Sequence, residues 1–372
     1  MCTRPPLLSS GFRPFFLLAS TAGAVLLASW LAALAGWWGG DAAWHGHELI
    51  FGFMGAVLGG FFLTAVPKWT DRTPVTGLSL AVLAAAWLAG RVVLLLDLPG
   101  AWQAIDLLFP VGLTTITAIH VFGARSVRNL LFPVLLAAWT GLDVLWHLDS
   151  SLPVLRAAVF TLLGVVVIFG GRITPLFTAK ALGLELRARD RRDDVAILSV
   201  LVLVPAQFVT SPRLVAGLAV FAALANLFRM WGWRCPATLK RPLLLVLHLG
   251  YAGLALGLSL EGLSLLHPAV LAPSASLHAL TIGALGLFAI GMMARVTRGH
   301  TGQPLRAPPT LAVAFFLLPL AASIRVLGPS LWPAWTQAAW LLSGGLWVLA
   351  FLLLALVDIP ALLRPRVDGK PG

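Results

Sequence analysis

The fold class is decided by residues 334–358, AWTQAAWLLSGGLWVLAFLLLALVD, in which Asp358 is the only charged residue. A helix needs about 20 predominantly apolar residues to cross the ~30 Å hydrocarbon core of a bilayer, and this run is longer than that. The run is continuous, whereas the strands of a membrane β-barrel alternate apolar and polar residues over ~10 positions. It therefore predicts a transmembrane α-helix.

The rest of the chain repeats this pattern. Of its 372 residues, 59% are hydrophobic and only 11% are charged, with a mean hydropathy of +0.93. A soluble domain has about 25% charged residues, and disordered chains contain few aliphatic residues, so both classes are excluded. Because lipid requires every backbone group to be satisfied internally, we predict an all-α polytopic membrane protein, a bundle of about 12 transmembrane helices. The twelve apolar segments lie near 14–36, 46–66, 77–96, 102–122, 130–148, 153–171, 195–210, 213–229, 242–262, 277–296, 310–328 and 334–358.

The basic residues predict the orientation of the chain. On a twelve-helix zigzag, 22 of the 26 Lys and Arg residues fall on one side. The positive-inside rule then places both termini in the cytoplasm, and it explains the net charge of +12 without a nucleic-acid partner. We interpret residues 1–372 as a single transmembrane domain. A basic cytoplasmic loop, 180–194, would join two six-helix halves, 1–179 and 195–372.

The histidines are the first candidate functional residues. An ionisable side chain inside a membrane is costly, so each is a functional-site hypothesis, with structural hydrogen bonding as the alternative. On the predicted topology they form two layers. The periplasmic layer contains His45, His47, His147 and His278, with His267 in a loop on that side. The cytoplasmic layer contains His120 and His300. His248 lies about seven residues from the cytoplasmic end of its own helix.

The strongest local pattern is Trp44-His45-Gly46-His47-Glu48 at the start of the second segment. Imidazoles two residues apart on a regular helix point ~200° apart. They therefore converge only if the helix frays at Gly46; otherwise they serve separate centres. Glu48 can hydrogen-bond the distal nitrogen of a ligating ring. The alternative is an interfacial helix start, where aromatic residues and histidines lie at headgroup level.

His47 and His278 share the periplasmic end of the predicted bundle, and haem in a bundle needs facing axial ligands. We therefore predict that both lie within reach of one haem. Arg172 and Arg295 each lie just inside a helix end and would hold the haem propionates through paired hydrogen bonds. The alternative for these arginines is positive-inside anchoring.

Imidazole ligands favour haem iron or copper and also suit zinc. The chain has no C-x-x-C-H motif, which excludes covalent c-type haem, and we expect a b-type haem. Acidic residues within the helices are few, which argues against magnesium or calcium. His45 or His147 is then available to a second metal. The candidate metal ligands are His45, His47, His120, His147, His248, His278 and His300.

His248 and Tyr251, the only tyrosine, are three residues apart and so share a helix face. Such a pair can relay a proton, which makes both residues catalytic candidates. A structural hydrogen bond that anchors Tyr251 is an equally good interpretation.

Several distinctive motifs occur along the chain: GFRPFF (11–16), WHGHE (44–48) with FGF (51–53), TAVP (64–67), GGRITP (170–175), HLGY (248–251), HALTIG (278–283) and MMARVTRGHTG (292–302). In combination they resemble the NnrS family. The resemblance implies a twelve-helix bacterial inner-membrane protein that contains haem and copper and is associated with denitrification and the nitric oxide stress response. It assigns no ligand to a particular residue here.

Two classes of function remain open. The first is a haem- and copper-binding protein that binds nitric oxide, or an oxidoreductase that reduces it with electrons from a membrane donor. The second is a twelve-helix transporter of a small solute or metal. Layered histidines and the expected absence of intramembrane carboxylates favour the first. The expected partners are nitric oxide or a similar small gas, the lipid bilayer and that electron donor.

Overall fold

A computed structural model describes residues 5–96, 100–185, 188–209 and 211–370, and no strand occurs among them. Eleven helices in this part of the chain are long and apolar enough to cross a membrane, which confirms an all-α polytopic membrane protein. They are α1 (Phe12–Leu34), α2 (Ala42–Thr70), α3 (Leu78–Leu95), α4 (Gln103–Gly123), α5 (Val127–Leu148), α6 (Leu152–Leu182), α8 (Pro212–Met230), α9 (Pro242–Leu266), α10 (Pro273–His300), α11 (Pro309–Leu331) and α12 (Pro333–Leu363).

The seventh predicted segment, 195–210, differs from the others. The chain forms α7 (Arg191–Leu201) and then a four-residue helix, Leu203–Ala206. A capping box starts α7, because the Asp190 side chain accepts from the backbone of the first turn and Asp193 bonds back to the Asp190 backbone N–H. Backbone hydrogen bonds continue across Val202, so the two pieces together cover Arg191–Ala206, which is shorter than the ~20 residues that a span requires. This stretch is not among the eleven candidate spans, and a twelfth span here stays a prediction.

The chain divides into two compact units. Unit 1 comprises Met1–Leu155, Met293–Leu305 and Phe351–Gly372, and unit 2 comprises Arg156–Met292 and Arg306–Ala350. The predicted division into six-helix halves stays a prediction.

In unit 1, the GFRPFF and TAVP motifs make a structural joint. Arg13 is buried, and its Nη1 donates to the carbonyl oxygens of Leu362 and Arg364 at 2.8 and 2.7 Å. It therefore satisfies carbonyls that the end of α12 leaves without an intrahelical partner. The Phe12 N–H donates to Thr64 Oγ1 at 2.8 Å, which ties the start of α1 to α2.

In unit 2, a buried arginine links four helices. Arg229 Nε donates to Asp193 at 2.7 Å, and its Nη1 donates to the Tyr251 hydroxyl at 2.8 Å. The tyrosine in turn donates to Asn226 Oδ1 at 2.6 Å. A Cβ at Gly171 would overlap the Arg229 guanidinium, so the GGR motif keeps glycine where the arginine crosses α6. The short α7 is held through Asp193.

A second buried ion pair in unit 2 joins Arg156 to Glu261. The other Glu261 oxygen accepts from Ser276 at 2.8 Å, and Arg156 Nε donates to Gln207 at 2.9 Å. Because every charged atom named here has a polar partner, we assign this network a structural role.

Candidate metal centre

Four side chains of unit 1 converge, and we call them the His/Asp cluster: His47, Asp106, Asp143 and His147. One ligand atom of each lies within 4.8 Å of the others. His47 Nε2 is 3.1 Å from Asp143 Oδ1 and 3.2 Å from Asp106 Oδ2, while His147 Nε2 is 3.3 Å from Asp106 Oδ2. His47, Asp106 and Asp143 are no more than 3% exposed. The cluster thus gathers two imidazoles and two carboxylates away from water.

Three helices supply these residues. His47 lies near the start of α2, and a π-helical segment, Glu48–Phe53, follows it directly. Such widened turns are frequent at functional sites. Asp106 lies near the start of α4, and Asp143 and His147 lie one turn apart on the same face of α5.

A guanidinium and a third carboxylate lie directly beside the His/Asp cluster. Arg91 on α3 pairs with Asp106, and its Nη1 lies 3.3 Å from Glu48 Oε1. The same Glu48 oxygen lies 3.4 Å from His47 Nδ1, so WHGHE does place its carboxylate against one of its imidazoles. A Cβ at Gly52 would overlap Arg91, which explains the glycine of the FGF motif.

The charges of this region do not balance. Glu48, Asp106 and Asp143 supply three buried carboxylates against the single guanidinium of Arg91, which leaves an excess of two negative charges if the imidazoles are neutral. Buried charge is stable only when it is paired. A divalent cation would remove the excess, as would a proton on each imidazole.

The ligand atoms of the His/Asp cluster indicate which metal ions it would bind. Two imidazole nitrogens and two carboxylate oxygens suit first-row divalent ions such as Cu(II), Zn(II) or Fe(II), and they suit the softer Cu(I) less well. His47 presents Nε2 to both aspartates, and its Nδ1 lies 3.4 Å from Glu48 Oε1 without a hydrogen bond between them. Glu48 is therefore placed behind the ring, where a carboxylate can accept a hydrogen bond from the distal nitrogen of a ligating histidine.

His45 lies in different surroundings. Its ring stacks on Trp30, with centroids 4.8 Å apart and planes 13° from parallel. The structure thus confirms that His45 and His47 point to different sides of α2.

Two other histidines of unit 1 lie outside the cluster. His120 Nδ1 is 2.7 Å from the Ile116 carbonyl oxygen, and its Nε2 is 3.1 Å from that of Thr73. The Lys68 ammonium donates to His300 Nδ1 at 3.0 Å. Metal ligation by these two residues stays a prediction.

The proposed proton relay consists of two residues with separate partners. His248 is fully buried, and its Nε2 lies 2.9 Å from Thr178 Oγ1, while its Nδ1 has no hydrogen-bond partner. The Tyr251 hydroxyl bonds to Arg229 and Asn226. A proton transfer between His248 and Tyr251 therefore stays a prediction.

The predicted haem residues are distributed over both units. His47 and Arg295 belong to unit 1, and His278 and Arg172 belong to unit 2. His278 Nδ1 lies 2.6 Å from the Ser274 carbonyl oxygen one turn earlier in α10. Their convergence on one haem stays a prediction.

Asp106, Asp143 and Arg91 were not predicted from the sequence. The prediction that the membrane-spanning segments contain few or no carboxylates is wrong, because five carboxylates in candidate spans are buried. A signal was present, since Asp143 precedes His147 by one helical turn and Arg91 interrupts the apolar segment 77–96. The buried carboxylates are Glu48, Asp106, Asp143, Glu261 and Asp358.

The helices and the cluster define a class: an all-α multi-pass membrane protein with a buried imidazole–carboxylate site. A model of the NnrS protein family matches residues 6–366. Since this is nearly the whole sequence, the chain belongs to the NnrS family, and the resemblance found in its motifs is confirmed. A search of curated proteins gave no significant match.

Proposed function

We propose that the protein is a copper-dependent inner-membrane component of the bacterial nitric oxide response, and that it binds nitric oxide at the His/Asp cluster. The observation that supports this most is the buried set of four ligand atoms within 4.8 Å of one another, beside an excess of two negative charges. Family membership supports the link to nitric oxide.

The residues fit copper in its divalent state. His47 and His147 would ligate through Nε2, together with Asp106 and Asp143. Bound copper supplies a centre that can change oxidation state and bind a small gas. Glu48 orients the His47 ring, and its own position is held by the ion pair with Arg91 outside the ligand set.

Nitric oxide is small and apolar, so it partitions into the bilayer and reaches a membrane-embedded site without a polar path. Its reduction to nitrous oxide and water takes one electron and one proton per nitric oxide. His248 and Tyr251 have separate hydrogen-bond partners, so we favour binding over rapid turnover. An electron donor in the membrane is needed only if the protein reduces nitric oxide and does not merely bind it.

In unit 2, His248 is a candidate ligand for a b-type haem. His248 is fully buried, its Nε2 lies 2.9 Å from Thr178 Oγ1, and its Nδ1 has no hydrogen-bond partner, so one ring nitrogen would be available to hold the iron of a haem. Arg172 and His278 belong to the same unit. We propose His248 as a haem ligand on this basis, beside the original expectation of His47 and His278.

Metal analysis of the detergent-purified protein tests the copper proposal. We expect one copper per chain in the wild type and a loss of most of it in His147→Gln, with a Cu(II) spin-resonance signal that changes when nitric oxide is added. His267→Gln, an exposed histidine after α9, is the matched control and should keep its copper. Wild-type protein without copper, or equal copper in both variants, would overturn the proposal.

The transporter remains the second candidate, because buried carboxylates such as those of the cluster also form the ion sites of carriers. In that case the metal is cargo and passes through. Flux of Cu²⁺ or Zn²⁺ into proteoliposomes, abolished by Asp143→Asn, would favour a carrier. Copper that survives dialysis without any flux favours the resident centre.

A further inference from the structure

A pocket of about 380 Å³ lies in unit 1 at the end of α2 opposite the His/Asp cluster. The loop between α2 and α3 forms one wall, and the last turns of α4 form the other. Its lining includes Arg72, Thr73, Ser79, Ile119 and His120. The metal site uses none of these residues.

The polar wall of this pocket is basic and rich in donors. Arg72, His120, Thr73 and Ser79 line it, and no carboxylate occurs among the lining residues in the described chain. His120 Nδ1 and Nε2 each lie near a backbone carbonyl oxygen, of Ile116 and Thr73, which fixes the orientation of the ring.

The start of α3 adds to this polarity. Its N-cap is Gly77, in the left-handed region at φ +62°, and no side chain caps the first turn. The first N–H groups of a helix lack intrahelical partners and carry partial positive charge, which suits an anion. Ser79, the second residue of α3, lines the pocket, so this helix start contributes to the same wall.

Apolar side chains beside these polar residues are open to the outside. Ile119, next to His120, lines the pocket and is 65% exposed, and Leu78 and Val82 on α3, the helix that carries Ser79, are 80% and 59% exposed. Exposed aliphatic residues on membrane-spanning helices face lipid chains. The pocket therefore lies where a basic, hydrogen-bonding surface meets a lipid-facing one.

We propose that this pocket binds the phosphate headgroup of an anionic phospholipid, with the acyl chains lying along Ile119 and Leu78. Free phosphate shares the headgroup chemistry, but it would leave these apolar side chains without a partner. Basic residues at the membrane surface attract anionic lipids, and Arg72 lies on the predicted cytoplasmic side, where 22 of the 26 Lys and Arg residues fall.

Native mass spectrometry of delipidated full-length protein tests the proposal, with short-chain phosphatidylglycerol, phosphatidylcholine and inorganic phosphate as probes. We expect one tightly bound phosphatidylglycerol, at least tenfold weaker phosphatidylcholine, and about tenfold weaker phosphatidylglycerol binding in Arg72→Gln. Arg125→Gln removes the same charge from an exposed neighbouring loop and should bind like the wild type.

Arg72 also donates to the Gly123 carbonyl oxygen, so its replacement can loosen the loop. Ser79→Ala avoids this problem and should weaken phosphatidylglycerol binding severalfold in a folded protein. The proposal fails if Arg72→Gln and Ser79→Ala both bind like the wild type, or if Arg125→Gln loses as much as Arg72→Gln. It also fails if inorganic phosphate binds as tightly as phosphatidylglycerol.

Discussion

Replacing Asp143 with Asn is the most informative change at the metal centre. The two side chains have the same shape, and Asn can still hydrogen-bond to His47, which lies 3.1 Å from Asp143. The substitution therefore removes one negative charge and one anionic ligand while leaving the packing intact. The charge excess of the site falls from two to one, so a divalent ion would no longer be neutralised.

The expected magnitude follows from the size of the cluster, whose ligand atoms lie within 4.8 Å of one another. Coulomb's law for a divalent ion and a unit charge about 4 Å apart gives about 8 kcal/mol at an effective dielectric constant of ~20. The lost hydration of both ions offsets most of this. If about a third of the 8 kcal/mol remains as net binding energy, the loss of Asp143 raises the dissociation constant for the divalent ion roughly 100-fold.

The assay is copper competition against a chelator of known affinity, with bound metal counted by mass spectrometry. Asp149→Asn is the matched control, because Asp149 is an exposed aspartate just beyond His147 and should leave the affinity unchanged. Circular dichroism and size exclusion check that each variant is folded. A folded Asp143→Asn protein with wild-type affinity would refute both the ligand assignment and the charge argument.

Three further predictions concern stability and topology. Arg91→Met leaves two buried carboxylates without their cation and should lower the stability of the metal-free protein by about 3–5 kcal/mol, measured by denaturant unfolding in detergent. Gly171→Ala would displace the Arg229 guanidinium and should lower the thermal midpoint, whereas Gly217→Ala, with open space around it, should not; equal midpoints would contradict the packing argument. A reporter fused after Leu184 should be active as a cytoplasmic fusion, and periplasmic activity there would overturn the predicted orientation.

The helical class and most span positions could be predicted from the sequence because hydropathy is a property of local composition. The exception is segment 195–210, whose helices end at Ala206 and are shorter than the other spans, so a twelfth span there stays a prediction.

Two of the four residues of the His/Asp cluster could be predicted from the sequence. His47 and His147 were identified because an ionisable side chain inside a membrane is costly, but the same argument was not applied to Asp106 and Asp143. The basic residues held a further clue, since Arg91 and Arg156 are among the four that do not follow the 22-of-26 asymmetry. Both turned out to be partners of buried carboxylates. Which helices bring these groups together depends on packing, which no local pattern encodes.

The place of His47 along α2 also has an electrical consequence. The helix Ala42–Thr70 has 29 residues, and His47 lies about a fifth of the way along it. A membrane potential of 100 mV does about 2.3 kcal/mol of work on a unit charge that crosses the whole bilayer. A unit charge that arrives from the near side therefore gains or loses only about 0.5 kcal/mol, whereas one from the far side exchanges about 1.8 kcal/mol, and a divalent ion exchanges twice as much. For a unit charge, 100 mV should thus change loading of the centre from the near side only about twofold and loading through the bundle about twentyfold.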